Sequence, residues 1–230
     1  MDEEQSKAFV FEVNATRNLL AYGLLVITSD ALTENTRDPI MTMLSSGLEK
    51  LYKLTLGIVA LDRDGKWAKK AEMQGIGHKV GKMHPTVLDE LDRRTSGGPR
   101  YIRELLDTVR GDPIIPVVID CVDAYGREGR YFYLDALAGK THSRSSPHES
   151  WRAIEAKVFD DVSAATQRLQ AARARTDNEQ SRDQNAVGDR IAQSVTDVWT
   201  LIAMCGIQHF LGETGAVFGR EIHPRAVGRQ

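Results

Sequence analysis

Apolar residues along this chain recur every three to four positions, the period at which one face of an α-helix can be buried. Between residues 4 and 29, Phe11, Ala15, Leu19, Tyr22 and Val26 follow that spacing. They predict a long amphipathic helix with this stripe turned to the core. Asn35 to Asp38 form a polar break. Asp38 followed by Pro39 then reads as an N-cap with proline at the first helical position, where its missing N–H costs nothing. The second helix is expected to reach about Leu61 with Leu44, Leu48, Leu51, Ile58 and Leu61 inward, and Asp62 to Gly65 should close it.

A third helical region covers Trp67 to Arg94, weakened by Gly75 and Gly77 and bent or interrupted at His84-Pro85. Ser96 to Pro99 is a loop, followed by a short helix from Arg100 to Arg110. Asp112-Pro113 repeats the cap signature ahead of Ile114, Ile115, Val117, Val118, Ile119 and Val122. That run has the β-branched content of a strand, but no second strand candidate exists to pair with it, so a helix is expected. Gly139 to Ser146 is a polar loop. Ser146-Pro147-His148-Glu149 has capping-box spacing and opens a helix reaching about Arg175.

Thr176 to Asn185 carries no apolar side chain, and a last helix from Ala186 to Leu211 aligns Ile191, Val195, Val198 and Ile202 beside Trp199. The pattern as a whole predicts an all-α, up-and-down bundle of six or seven helices. Residues 1–175 would form the core, 176–185 a linker or solvated helical stretch, 186–212 a helix packed on the core, and 213–230 a loose tail.

The chain has 230 residues, 41% hydrophobic and 27% charged, a globular balance that excludes wholesale disorder. Thirty basic against thirty-two acidic residues leave a formal charge of −2. No global field therefore advertises nucleic acid or membrane, and any basic site must be local. The acidic start (Met1, Asp2, Glu3, Glu4) reads as no signal peptide, and no 18-residue apolar run exists to span a bilayer. No membrane partner and a cytoplasmic location are expected. Cys121 and Cys205 read as two reduced core thiols, without metal-ligand spacing to other Cys or His. No metal site and no cofactor are expected.

Candidate chemistry centres on Ser46 to Gly57 (SGLEKLYKLTLG) and Gly77 to Met83 (GHKVGKM). Glu49 and Lys53 lie one helical turn apart, acid before base, as do His78 and Lys82. If the two helices pack antiparallel, Glu49, Lys53 and His78 meet near one end. The alternative is that Glu49 and Lys53 form a structural pair and His78 caps a turn.

These two segments resemble the second- and third-helix core of HEPN-type helical proteins, whose abortive-infection and toxin–antitoxin members often read E-K-x-x-K-x-x-L followed by G/T-H-x-L/V-x-x-L. The likeness covers about residues 8 to 95. It implies a helical bundle, usually a homodimer, often acting on RNA in bacterial defence or toxin systems. Ribonucleases of that family cut with an Arg and, after four to six intervening residues, a His, the His moving the proton of the ribose 2′-hydroxyl and the Arg holding the phosphate. None of the six histidines here follows an Arg at that spacing. Arg144 and His148, with three residues between them, come nearest, beside His142, Ser145 and Ser146 at a helix N-terminus suited to phosphate. Either they are a variant active site for a metal-independent endoribonuclease, or the chain is HEPN-like without that chemistry.

Lys66, Lys69, Lys70, Lys79 and Lys82 stand against the single acid Glu72 and form a candidate RNA-binding patch, with Trp67 available to stack a base. A solvated helix face is the alternative. Arg127, Arg130, Tyr131, Tyr133 and Asp135 would line a pocket, pair with Glu49 or make an interhelical or subunit contact. Two competing readings follow: an RNA-binding or RNA-cleaving HEPN-like protein, and a non-catalytic interaction protein acting as a dimer or complex subunit. A ligand-binding helical regulator is a third.

Overall fold

The computed structural model describes residues 1–29, 34–69, 71–72, 75, 77–172 and 180–228, with side chains described outside 164–172 and 180–185. Among the described residues the protein is all-α, with nine α-helices and no strand. The helices are α1 (Glu3–Ile27), α2 (Arg37–Asp64), α3 (Val80–Thr95), α4 (Arg100–Gly111), α5 (Ile115–Arg127), α6 (Phe132–Leu137), α7 (Pro147–Ala172), α8 (Gln180–Ile207) and α9 (Gly212–Ile222). The two beyond the six or seven expected are the short α6 and the C-terminal α9. No helix among the described residues is long and apolar enough to cross a membrane.

Local chemistry accounts for several of the ends. Asp2 and Gln5 form a reciprocal capping box on α1, Gln5 N donating to Asp2 Oδ1 at 2.7 Å. The capping box expected at α7 is present: Ser146 N donates to Glu149 Oε2 at 2.8 Å and Glu149 N to Ser146 Oγ at 3.2 Å. Gly65 ends α2 in the left-handed conformation, φ 67°, as a C-terminal glycine should. The β-branched run after Asp112 is helical: Asp112 Oδ1 accepts from Ile114 N at 2.7 Å just ahead of α5. Pro85 lies inside α3 without interrupting it, although it leaves the Gly81 carbonyl without its helical donor.

Helix α2 is the axis of the bundle, packing against α1, α3, α5, α7 and α9. Leu44, Leu48, Leu51, Tyr52 and Ile58 are buried along it. Helix α1 runs antiparallel to α2 at close range, Leu44 lying in the notch left by Gly23 and Leu20 in that left by Gly47. The stripe expected to face the core on α1 does so only in part, Ala15, Leu19 and Val26 being half-buried. Val13, Leu20 and Ile27 are buried, whereas Phe11 and Tyr22 are exposed. The reason is composition: α1 is apolar around most of its circumference, so period alone does not orient it.

The tail expected from Gly212 to be loose is helix α9, with Phe218 and Ile222 in the core. It folds back on α8 through backbone-to-backbone contact. A Cβ at Gly219 would stand 2.5 Å from the Ala203 carbonyl oxygen, and one at Gly206 2.5 Å from the Gly215 carbonyl oxygen. Trp199 Nε1 donates to the Ile222 carbonyl at 2.5 Å and ties the two helices together. Of the stretch expected as a linker, 180–185 belongs to α8 and 176–179 lies outside the described residues.

Candidate functional site

Glu49, Lys53 and His78 meet. Glu49 and Lys53 share one face of α2, and Lys53 Nζ donates to Glu49 Oε1 at 2.8 Å. His78, just ahead of α3, sets its Nδ1 2.9 Å from Glu49 Oε1 and 3.0 Å from Oε2. The meeting does not come from antiparallel packing. Tyr52 pairs with His84 and Asp62 with Arg94, so residue numbers rise together along α2 and α3 and the two run parallel. The chain leaving α2 returns to its middle before α3 begins, which places His78 beside Glu49.

The Glu49 side chain is 13% exposed and that of His78 70%. Burial pushes the Glu49 carboxyl up, but hydrogen bonds from Lys53 and His78 and their charges outweigh it, and the net direction is down. An ionised carboxylate only accepts, so Nδ1 of His78 carries the proton toward Glu49 and Nε2 is left on the far side of the ring.

Around this triad the cations continue. Asp123 of α5 accepts from Gly81 N at 3.0 Å and pairs with Arg127 at 2.7 Å. Arg130 Nη2 donates to Ser46 Oγ at 2.9 Å and Ser45 Oγ at 3.3 Å, one turn of α2 before Glu49. Of the expected pairings for Arg127 and Arg130, Arg127 therefore takes Asp123 and Arg130 takes the serines. Lys79 and Lys82 are exposed at the start of α3, and Lys66 and Lys69 are exposed in the returning segment; Lys70 lies outside the described residues. Trp67 is not free to stack a base: its ring fills the notch at Gly57 and meets Phe9 edge-on, centroids 5.9 Å apart. Tyr131 and Tyr133 are exposed beside Arg130.

Arg144 and His148 go separate ways. Arg144 extends to Glu128, 3.9 Å away. His148 turns to the start of α2, where Arg37 Nη1 lies 3.2 Å from its Nε2 and Glu34 Oε1 3.4 Å from it. Pro147 starts α7 between them, so the loop residue and the helical residue point to different neighbours. The arginine beside His148 is thus Arg37, which also donates to Glu155 Oε2 at 2.7 Å. Glu155 accepts from Trp151 Nε1 at 2.8 Å, and Arg152 donates to Glu34 at 2.7 Å. Arg37 and Glu34 escaped sequence reasoning because no local spacing links them to His148. Arg152 and Glu155, four and seven residues after it on one helix, carried a readable signal.

His142 stacks on Phe132, ring centroids 4.0 Å apart, and its Nε2 is buried without a hydrogen-bond partner in the structure. Cys121 and Cys205 are free and buried, their thiols pushed up to about 12 by burial. Among the described residues no three His, Cys, Asp or Glu side chains converge as a metal-ligand set. Comparison with protein-family models, curated proteins and solved structures finds no match.

Proposed function

We propose that this is a HEPN-like RNA-binding protein of a bacterial defence or toxin-type system, cutting RNA without a metal through His78 rather than through Arg144 and His148. The observation that carries the reading is the shared carboxylate of Glu49, which holds both His78 Nδ1 and Lys53 Nζ within 2.9 Å. Such a carboxylate fixes the imidazole tautomer and leaves Nε2 as a general base. The base takes the proton of a ribose 2′-hydroxyl. The 2′-oxygen attacks the adjacent phosphorus, the bond to the 5′-oxygen breaks, and that oxygen takes a proton from water. A 2′,3′-cyclic phosphate and a 5′-hydroxyl result. Lys53 and Arg127 supply positive charge for the phosphate, Lys79 and Lys82 hold the backbone, and Tyr131 and Tyr133 offer faces for unpaired bases. The all-helical fold and the meeting of Glu49 with His78, one from each motif segment, support the kinship.

The test is a labelled single-stranded RNA incubated with purified protein in excess chelator. The reading expects fragments ending in 2′,3′-cyclic phosphate, lost in His78→Ala and Glu49→Gln and retained in Arg144→Ala and His148→Ala. Bound but uncut RNA would overturn the catalytic step and keep the binding. RNA neither bound nor cut would overturn both and leave the non-catalytic interaction protein as the reading.

A further inference from the structure

The outward face of α1 is built unlike a solvated helix face. Phe11 is 74% exposed, Tyr22 60%, Leu25 62% and Val10 56%. Phe11, Ala15, Asn18, Tyr22 and Leu25 step by four, three, four and three residues along one uninterrupted helix of 25 residues. That alternation is the seam spacing of two packed helices. From Ala8 to Ser29 the charged residues are Glu12 and Arg17. Glu12 is paired with Lys50, and Arg17 is buried, donating to the Glu221 carbonyl at 2.7 Å and to Asn14 Oδ1 at 2.8 Å. Some five turns of exposed helix therefore present no free charge, which suits neither bulk water nor a polyanion.

We infer that this face is covered by the same face of a second copy, the two α1 helices crossing antiparallel about a two-fold axis at Asn18. The order of residues is self-complementary about that point. Phe11 and Leu25 each lie seven residues from Asn18, so the two-fold sets Phe11 of each copy against Leu25 of the other. Small Ala15 falls beside bulky Tyr22. Asn18 meets itself, and a carboxamide carries both donor and acceptor, so two of them satisfy each other where a carboxylate or an ammonium would repel its own kind. A lone asparagine in an apolar seam is also the device that fixes register.

The area is adequate. With aromatic side chains at 150–250 Å² and Leu and Val somewhat smaller, the four exposed residues leave roughly 450 Å² of apolar surface in water on each copy. Two copies remove roughly twice that, and Ala8, Ala15 and Asn18 with the backbone around them bring the contact to the ~1,200 Å² at which stable interfaces begin. The inference does not depend on the RNA reading, because α1 contributes no residue to the Glu49 cluster.

Light scattering after gel filtration should give a mass near twice the 25.6 kDa of one chain. The double variant Phe11→Glu, Leu25→Glu should halve that mass at the same concentration. Both side chains are exposed in the single chain, so its circular dichroism and melting temperature should stay those of the wild type. In the Asn18→Cys variant a mild oxidant should join two chains within the dimer, since the native cysteines are buried. A mixture of Phe11→Cys and Leu25→Cys variants should cross-link to each other rather than to themselves. A wild type that runs at one chain's mass overturns the inference, as does a dimer indifferent to the double glutamate. Self-linking of Phe11→Cys in preference to the mixed pair overturns the antiparallel register.

Discussion

His78 Nδ1 sits 2.9 Å from Glu49 Oε1, although the two residues are 29 positions apart in the chain. Glu49 is the acceptor for Lys53 as well, and these bonds hold its carboxyl below the usual value despite its burial.

That ionisation makes a stability prediction. A carboxyl depressed in the fold stabilises above its unfolded value and loses the contribution as pH falls through its folded value. Glu49→Gln should cost on the order of 1 kcal/mol at pH 7. The difference from wild type should vanish in strong acid. Urea midpoints at pH 7 and pH 3 decide it; an equal gap at both would mean that the charge of Glu49 is irrelevant.

His84 gives the opposite kind of titration. Burial lowers it to about 4, and its Nδ1 stands 2.7 Å from the Tyr52 hydroxyl, within hydrogen-bond reach. Above the unfolded value near 6.5 both states are neutral and stability is full. Between there and about 4 the unfolded chain takes up a proton that the fold refuses. Stability should fall across that window by up to about 3 kcal/mol. His84→Phe should flatten the slope. An unchanged slope in chemical unfolding at graded pH would assign the loss to other groups.

Gly219 carries the close approach of α8 and α9. A Cβ there would stand 2.4 Å from Ile207 N, a backbone atom that no side-chain rotation can move away. Gly219→Ala should destabilise by about 2–4 kcal/mol through separation of the two helices. The fluorescence of Trp199, which bridges them, should change with it. A variant as stable as wild type would show that the hairpin repacks freely.

Arg190 makes two bonds to Asp112, Nη2 to Oδ1 at 2.7 Å and Nη1 to Oδ2 at 2.9 Å. Ser194 donates to the same carboxylate at 2.8 Å and Asp161 accepts from Arg190 at 3.1 Å. Burial pushes the Asp112 carboxyl up, and these donors together with Ile114 N bring the net direction down. Arg190→Leu should cost about 2–4 kcal/mol by leaving a carboxylate buried without its counter-ion. Arg190→Leu combined with Asp112→Asn should recover part of the loss. Additive losses in that pair of variants would contradict the coupling.

Much of this architecture is legible along the chain. Ser146 and Glu149 mark the start of α7, and the apolar stripes of α2 and α8 are buried where their period places them, apart from the half-buried Leu61. The separation of Arg144 from His148 is not legible. Nor is the pairing of His148 with Arg37, 111 residues away in the chain.

The sequence by itself determined that the chain is helical and where most helices begin, because helix hydrogen bonds and caps link residues three or four apart and answer to local composition. It also supplied Glu49 and Lys53 on one helical face. Tertiary structure alone decided that α3 runs parallel to α2, that α1 turns Phe11 and Tyr22 outward, and that Gly212–Ile222 packs as a helix instead of trailing. Those outcomes depend on which surfaces fit together in space. A one-dimensional period reports how apolar each face is and carries no information about the neighbour that covers it.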